Sequence, residues 1–299
     1  MRASYINLLE SGELERRAAK AWKSLENCVT CAWECKVDRL AGKQGVCKTG
    51  PSAYVSSYGP HMGEENPLRG WHGSGTIFFT HCNMRCQYCQ NHDISQAAAG
   101  YPVDENRLAE IMLELQEMGC HNINLVSPSH VVPQILVALL VAARAGLTLP
   151  IVYNTGGYDS LGTLKLLDGV IDIYMPDMKY ANERIARQYS KIPHYPQANQ
   201  AAVLEMHNQV GDLQIDRNGI ATRGLLVRHL VLPNDLAGTA EIVRFLAEVV
   251  SLKTYLNVMS QYRPDFNARQ YPKLNRPLKG QEYQQAVQMA LAAGLQRLD

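Results

Sequence analysis

Residues 76–95 read TIFFTHCNMRCQYCQNHDIS, and the rest of the chain is read outward from that stretch. Its first five residues are β-branched and aromatic, the composition of a buried strand. Directly behind them stand Cys82, Cys86 and Cys89, with C-x3-C-x2-C spacing, on a loop at that strand's C-terminal end. Five more β-rich runs follow: NINLV (122–126), PIVYN (150–154), VIDIY (170–174), LLVRHLVL (225–232) and TYLNVMS (254–260). Between the first two runs, DENRLAEIMLELQEMG sets Leu108, Ile111, Met112, Leu115 and Met118 at helical spacing. Asp104 is its expected N-cap and Gly119 its stop. Further helical patterns cover about 131–145, 160–167, 181–190, 198–210, 239–250 and 281–294. This alternation predicts an α/β fold of parallel strands joined by right-handed crossovers. Six units do not close an eight-stranded barrel; they suit a partial six-stranded (β/α) barrel with an open side, TIM-like in that chemistry collects at the C-terminal strand ends. Asn218-Gly219 predicts a tight turn before the fifth strand.

The chain has eight cysteines, which a reducing cytoplasm would keep as thiols or metal ligands rather than disulfides. Besides the triplet, Cys28, Cys31, Cys35 and Cys47 have C-x2-C-x3-C-x11-C spacing, with Gly42 and Gly45 loosening the loop. Four thiolates so close in sequence point to a closed zinc site or a second, fully ligated iron–sulfur cluster. Residues 1–70 are therefore expected to be a small cysteine-rich metal-binding extension, with the barrel spanning 71–299. Cys120, just past a helix stop, reads as a small core residue.

The triplet points to a 4Fe-4S cluster: four irons held by three thiolates leave one iron free to bind a cofactor or substrate. The rival is a zinc ion on the same thiols, with His81 or His92 as fourth ligand. Between the two cysteine groups, GPHMGEENPLRGW brings His61, Glu64 and Glu65 either to the barrel mouth or into a solvated loop.

Bulk composition adds exclusions. The formal net charge of +1 gives no sign of a nucleic-acid partner. The most apolar stretch, VVPQILVALLVAARAG, is interrupted by Pro133 and Gln134 and stopped by Arg144, so it reads as a buried helix, and no membrane partner is expected. The N-terminal residues lack an apolar signal core, which predicts a cytoplasmic protein.

CNMRCQYCQNHDIS resembles the cluster loop of radical S-adenosylmethionine (SAM) enzymes, most closely the pyruvate formate-lyase activating enzyme group. GEENPLRGWHGSGTIFFTHCNMRCQYCQNHDISQ together with the N-terminal cysteines is similar to the PflX-type branch of that group. The resemblance implies an oxidoreductase in which Cys82, Cys86 and Cys89 hold the 4Fe-4S cluster. SAM would be cleaved reductively to a 5′-deoxyadenosyl radical that abstracts hydrogen from a substrate. Cofactor binding is implied for Tyr88, packing against the adenine, and for Asn91 in the same loop. Ser127 and Ser129, in SPSH, stand where relatives often carry Gly-Gly-Glu. Asn154 and Thr155 match an Asp-Thr pair beside the ribose, with Asn in place of Asp. Met175, Asp177 and Lys179 match a Met-x-Asp-x-Lys pattern that helps to hold the cofactor and a monovalent cation. Arg228 and Gln261 follow at later strand ends. Reduced flavodoxin or ferredoxin would supply electrons, and a glycyl-radical enzyme is the protein substrate the resemblance suggests. Another peptide or small-molecule substrate, a non-enzymatic zinc- or cluster-bearing binding module and a simple electron carrier are the alternatives.

Overall fold

The computed structural model describes residues 2–299. Nine strands form one mixed sheet: β1 (Ala53–His61), β2 (Ser74–Phe79), β3 (Tyr101–Val103), β4 (Ile123–Val126), β5 (Ile151–Thr155), β6 (Ile173–Pro176), β7 (Gln214–Ile215), β8 (Ala221–Leu230) and β9 (Tyr255–Met259). Within it β2, β4, β5, β6, β8 and β9 pair in succession, every pair parallel. These are the six runs read from the sequence, so the partial barrel is present.

The helices that return the chain do so for local reasons. Asp104 caps Glu105–Glu117 by accepting the Arg107 N–H at 2.8 Å, and Gly119, at φ +81°, ends the turn that follows. VVPQILVALLVAAR becomes the helix Val132–Arg144, buried along most of its length as its composition requires. Among the described residues no helix is long and apolar enough to cross a membrane. The fourth parallel strand starts three residues later than the run VIDIY. Val170 and Ile171 still donate to the Leu167 carbonyl at the helix end, and the backbone turns to its neighbours from Asp172, whose N–H donates to the Ile151 carbonyl at 3.1 Å.

Alternation along the strands sorts side chains onto two faces. Ile77, Ile123, Leu125, Ile151 and Tyr153 face outward and pack with Leu108, Ile111, Leu115, Ile135 and Leu139 of the helices. Val152, Ile173, Met175 and Leu226 face inward and meet Leu68. The inner apolar cluster is small, and polar residues take over toward the C-terminal strand ends.

Two strands were not expected. β1 pairs antiparallel with β2, from Val55 opposite Phe79 to His61 opposite Ser74, and β3 adds to β1. β1 carries the strand-favouring Tyr54, Val55 and Tyr58, but Ser56, Ser57, Gly59 and Pro60 between and after them dilute that preference. It forms because β2 would otherwise present a bare edge. β1 lies within residues 1–70 and is nonetheless part of the barrel's sheet. Asn218-Gly219 forms the expected turn between β7 and β8, with Gly219 at φ +83°.

Candidate active site

The loop after β2 is pinned from three directions. The Arg85 and Gln87 amides donate to the carbonyls of Ser190 and Tyr189 at 3.1 and 2.7 Å. Asn83 Nδ2 donates to the Tyr158 carbonyl at 2.8 Å, while the Asn83 carbonyl accepts from Trp33 Nε1 at 2.6 Å. Met84 is buried against Gly156, where an added Cβ would lie 2.6 Å from its sulfur and push the thioether aside. The loop thus has one position, and its three thiols are held on the barrel mouth.

Each of those thiols has a polar partner. Ser190 Oγ donates to Cys86 Sγ at 3.0 Å, the Met84 N–H donates to Cys82 Sγ at 3.4 Å, and Cys89 Sγ lies 3.2 Å from Ser95 Oγ. Hydrogen bonds to sulfur are among the levers by which proteins tune iron–sulfur centres. Burial, and then the neighbouring thiols, push Cys82 up to about 12. Burial raises Cys86 to about 11 although the Lys179 ammonium opposes it. Both are therefore protonated near neutrality in the absence of metal, and loading a cluster must release those protons.

Of the two histidines considered as a fourth ligand, one is hydrogen-bonded to its neighbour and the other stacks on an aromatic ring with its Nδ1 unpartnered. His81 Nδ1 lies 2.9 Å from Thr80 Oγ1, and His92 stacks on Phe266 with ring centroids 4.9 Å apart. Among the described residues no three His, Cys, Asp or Glu side chains are arranged to hold a single metal ion.

The later strand ends converge on one network. Lys179 Nζ donates to Asp177 Oδ2 at 2.6 Å, Arg228 Nε to Asp177 Oδ1 at 2.9 Å, and Arg228 Nη2 to Asn154 Oδ1 at 2.7 Å. Burial by itself would raise the Asp177 carboxyl, but the Arg228 and Lys179 cations outweigh it and hold the group below its ordinary value. Arg228 thus spans Asn154 and Asp177 with one guanidinium. Ser129 Oγ lies 2.8 Å from Thr155 Oγ1, which in turn donates to Asp159 Oδ2 at 2.8 Å. Ser127 is in the left-handed region at φ +59°, a strained conformation for serine at the end of β4.

Tyr88 is 4 % exposed, with its ring edge-on to Tyr180 and Tyr262 at 6.4 and 5.8 Å. It floors the mouth from within an aromatic cluster. Asn91 and Gln261 are exposed, and the Gln261 carbonyl accepts from Gln90 Nε2 at 2.9 Å.

The second cysteine group packs against the first. Cys28, Cys31, Cys35 and Cys47 all line one enclosed cavity of about 10 Å³, together with Arg39 and His130. Cys35 Sγ presses on the backbone at Gly45, where a Cβ would lie 2.8 Å away. At Cys28 burial pushes the thiol up, but the Thr30 hydroxyl and amide and the Arg39 guanidinium outweigh it, and the net shift is downward. Cys31 is raised, mainly by burial. Cys120 is buried in the helix–sheet core beside Leu115 and Ile123.

Sequence reading missed Arg39, Asp159 and Ser190. Arg39, 1 % exposed, donates to the carbonyls of Gly50 and His130 at 2.8 Å each. Asp159 joins Tyr153 and Thr155, and its backbone bridges to Cys31. None belongs to a local motif; each matters through partners distant in sequence.

Comparison with known proteins agrees with this geometry. The Radical SAM superfamily matches residues 76–246. The chain is 30 % identical over 285 residues to the uncharacterized protein MJ0674 of Methanocaldococcus jannaschii, across 93 % of this chain and 78 % of that one. A radical SAM methyltransferase from Sphaerobacter thermophilus superposes with a TM-score of 0.50 at 13 % identity, over 75 % of this chain and 65 % of that one. The FeFe-hydrogenase maturase HydG from Carboxydothermus hydrogenoformans gives 0.51 at 13 %, over 73 % of this chain and 50 % of that one. The chain thus spans between half and two thirds of these two structures, and the likeness to them is one of fold. On the family match over more than half its length, the chain belongs to the radical SAM superfamily and is an enzyme of that family.

Proposed function

We propose that Cys82, Cys86 and Cys89 hold the 4Fe-4S cluster that the family implies, and that the strand-end network beside them holds SAM. The donor set fits: three thiols on one pinned loop, each with a polar partner, and a lysine close enough to Cys86 to oppose the rise in its pKa. When bound, cluster and cofactor together supply a one-electron carbon–sulfur cleavage whose 5′-deoxyadenosyl radical takes hydrogen from a substrate.

The chain's own residues position and enclose. Ser190 keeps its hydroxyl donor on Cys86, which favours the thiolate over the thiol. Asp177 clamps Lys179 and Arg228, so two buried cations face the mouth without repelling each other apart. The Ser129–Thr155–Asp159 chain fixes the ends of β4 and β5 against one another, on the side assigned to the ribose. Tyr88, Tyr180 and Tyr262 exclude water below the loop.

Enzymes of this family commonly take electrons from flavodoxin or ferredoxin, and we assign a reduced carrier of that kind here. Glycyl-radical-enzyme activation is the substrate reading favoured by the resemblance of the cluster loop and of Met175-x-Asp177-x-Lys179. Residues 1–70 serve on this reading as a cysteine-rich extension covering the mouth of the barrel in 71–299. For Cys28, Cys31, Cys35 and Cys47 we favour zinc, whose binding would draw the four thiols in from their present spacing. Their cavity of about 10 Å³ is the size of one small occupant, and four thiolates saturate a tetrahedral ion.

The observation that carries the proposal is the placement of the three-thiol loop at the end of β2, facing the Asp177–Lys179–Arg228 network. Anaerobic reconstitution tests it. The reduced protein should release 5′-deoxyadenosine from SAM, and Cys86→Ala should cut the rate by more than the roughly 100-fold upper effect of outer-shell changes at metal sites. Equal release by Cys86→Ala would overturn the assignment.

A further inference from the structure

A second polar recess opens beside the strand-end network, on the open side of the barrel. The turn between β1 and β2 carries Glu64 and Glu65 inward, where they meet Arg228 of β8 and Asn257 of β9 around a cavity of about 300 Å³. Its lining is polar almost throughout, unlike the apolar floor formed by Val152, Ile173 and Met175.

The carboxylates there are under-matched. Glu65 is 7 % exposed, and Asn257 Nδ2 donates to its Oε1 at 2.9 Å, but its buried Oε2 has no partner. Glu64 Oε1 is 3.6 Å from His61 Nδ1, and Oε2 is 4.0 Å from Arg228 Nη1; both distances are beyond hydrogen-bond range. Asn124, fully buried, lies close enough to the Glu64 carboxyl to oppose the rise that burial causes there, yet neither of its side-chain polar atoms reaches a partner within hydrogen-bond range. Arg228 offsets this charge only from a distance: its Nε and Nη2 are committed to Asp177 and Asn154, and its Nη1 stays 4.0 Å from Glu64. Counting formal side-chain charges over the joined network, Lys179 and Arg228 face Asp177, Glu64, Glu65 and Asp299, a net of −2. A buried carboxylate oxygen without a donor is costly, and the group that would relieve it carries both positive charge and N–H donors.

We propose that this recess receives a protonated nitrogen group of the substrate, an ammonium or guanidinium, with Glu65 Oε2 as its acceptor and Glu64 as the second carboxylate. The inference rests on the proposed function, which places the reacting end of the substrate at the neighbouring strand ends. SAM carries an ammonium of its own at its methionyl end, so displacement of a probe by SAM decides whether the recess belongs to the cofactor or to the substrate. A free small amine and a lysyl or arginyl side chain of a peptide share this chemistry.

The test uses the anaerobically reconstituted full chain without reductant, and calorimetric titration with two matched pairs. Butylguanidinium is compared with butylurea, its neutral isostere. Acetyl-Gly-Arg-Gly-amide is compared with the same peptide carrying citrulline. In at least one pair the charged member should bind tenfold or more tightly than the neutral one, and Glu65→Gln should bring the ratio near one. The pair with the larger ratio identifies the source, small molecule or peptide. Equal binding within both pairs on the unaltered protein overturns the inference, a result that needs no variant to fold. So does a ratio that survives Glu65→Gln, or displacement of the charged probe by SAM. Failure of the proposed reaction shows separately, as absence of 5′-deoxyadenosine release under reduction.

Discussion

The two cysteine groups lie against each other, joined through Asn83, yet they are built differently. Cys82, Cys86 and Cys89 come from one strand-end loop, are half-buried, and number one short of a full ligand set for a four-iron cluster. Cys28, Cys31, Cys35 and Cys47 are drawn around an enclosed cavity, and Arg39 and His130 close it. The contrast teaches how three thiols and four thiols divide labour. A set that leaves an iron free belongs where ligands can reach it, and a set that saturates its ion can be sealed and used for folding. On the proposed function the Asp177–Lys179–Arg228 network serves the open group, whereas Glu34 and Arg39 are the charged side chains lining the closed one.

Exchanging the two lesions is the sharpest way to break this comparison. Whereas Cys86→Ala should abolish turnover and leave the fold intact, Cys31→Ala should release the N-terminal metal and cost more than about 3 kcal/mol, as losses of structural metal do. Metal analysis together with urea unfolding checks the pair; the same loss of stability from both would erase the distinction. Next in size, Asp177→Asn leaves Lys179 and Arg228 buried without their shared counter-ion. A loss of about 3–5 kcal/mol is expected, accompanied by a weaker apparent affinity for SAM.

A smaller effect concerns the closed side. Burial, and then Arg39, push His130 down to about 3, against about 6.5 in an unfolded chain. The folded protein therefore binds fewer protons, so stability rises with pH between those values and falls on acidification. From pH 7 to pH 5 the loss attributable to His130 is about 2 kcal/mol, and a folded His130→Gln protein should lack that share. Unfolding titrations at the two pH values decide it; an unchanged slope in the variant would show that His130 is not the group responsible. Smallest of all, Ser190→Ala removes one hydrogen bond to Cys86 Sγ. It should slow 5′-deoxyadenosine release by roughly 10-fold, with iron content retained. A variant with unaltered rate would show that this hydroxyl does not tune the open group.

Much of this was legible beforehand because the signals are local. Strand periodicity, helix caps and the spacing of Cys82, Cys86 and Cys89 are written within windows of about ten residues. Asp104 caps its helix as the sequence suggests, and Asn218-Gly219 turns as expected. β1 was not legible, since its strand preference is diluted until β2 offers an edge. Tyr88 was expected against the adenine; what could not be read beforehand is that its ring lies edge-on to Tyr180 and Tyr262, which arrive from two distant segments.

Taken alone, the order of residues determined the parallel barrel and which thiols travel together, because both follow from short-range patterning. Only the tertiary structure decided that Arg39 would reach the carbonyl of His130, 91 residues away, that Asn154 and Asp177 would share one guanidinium, and that Glu65 would turn inward with an oxygen unmatched. Those outcomes depend on which distant groups compete for the same buried donor, and that competition exists only once the barrel has brought them together.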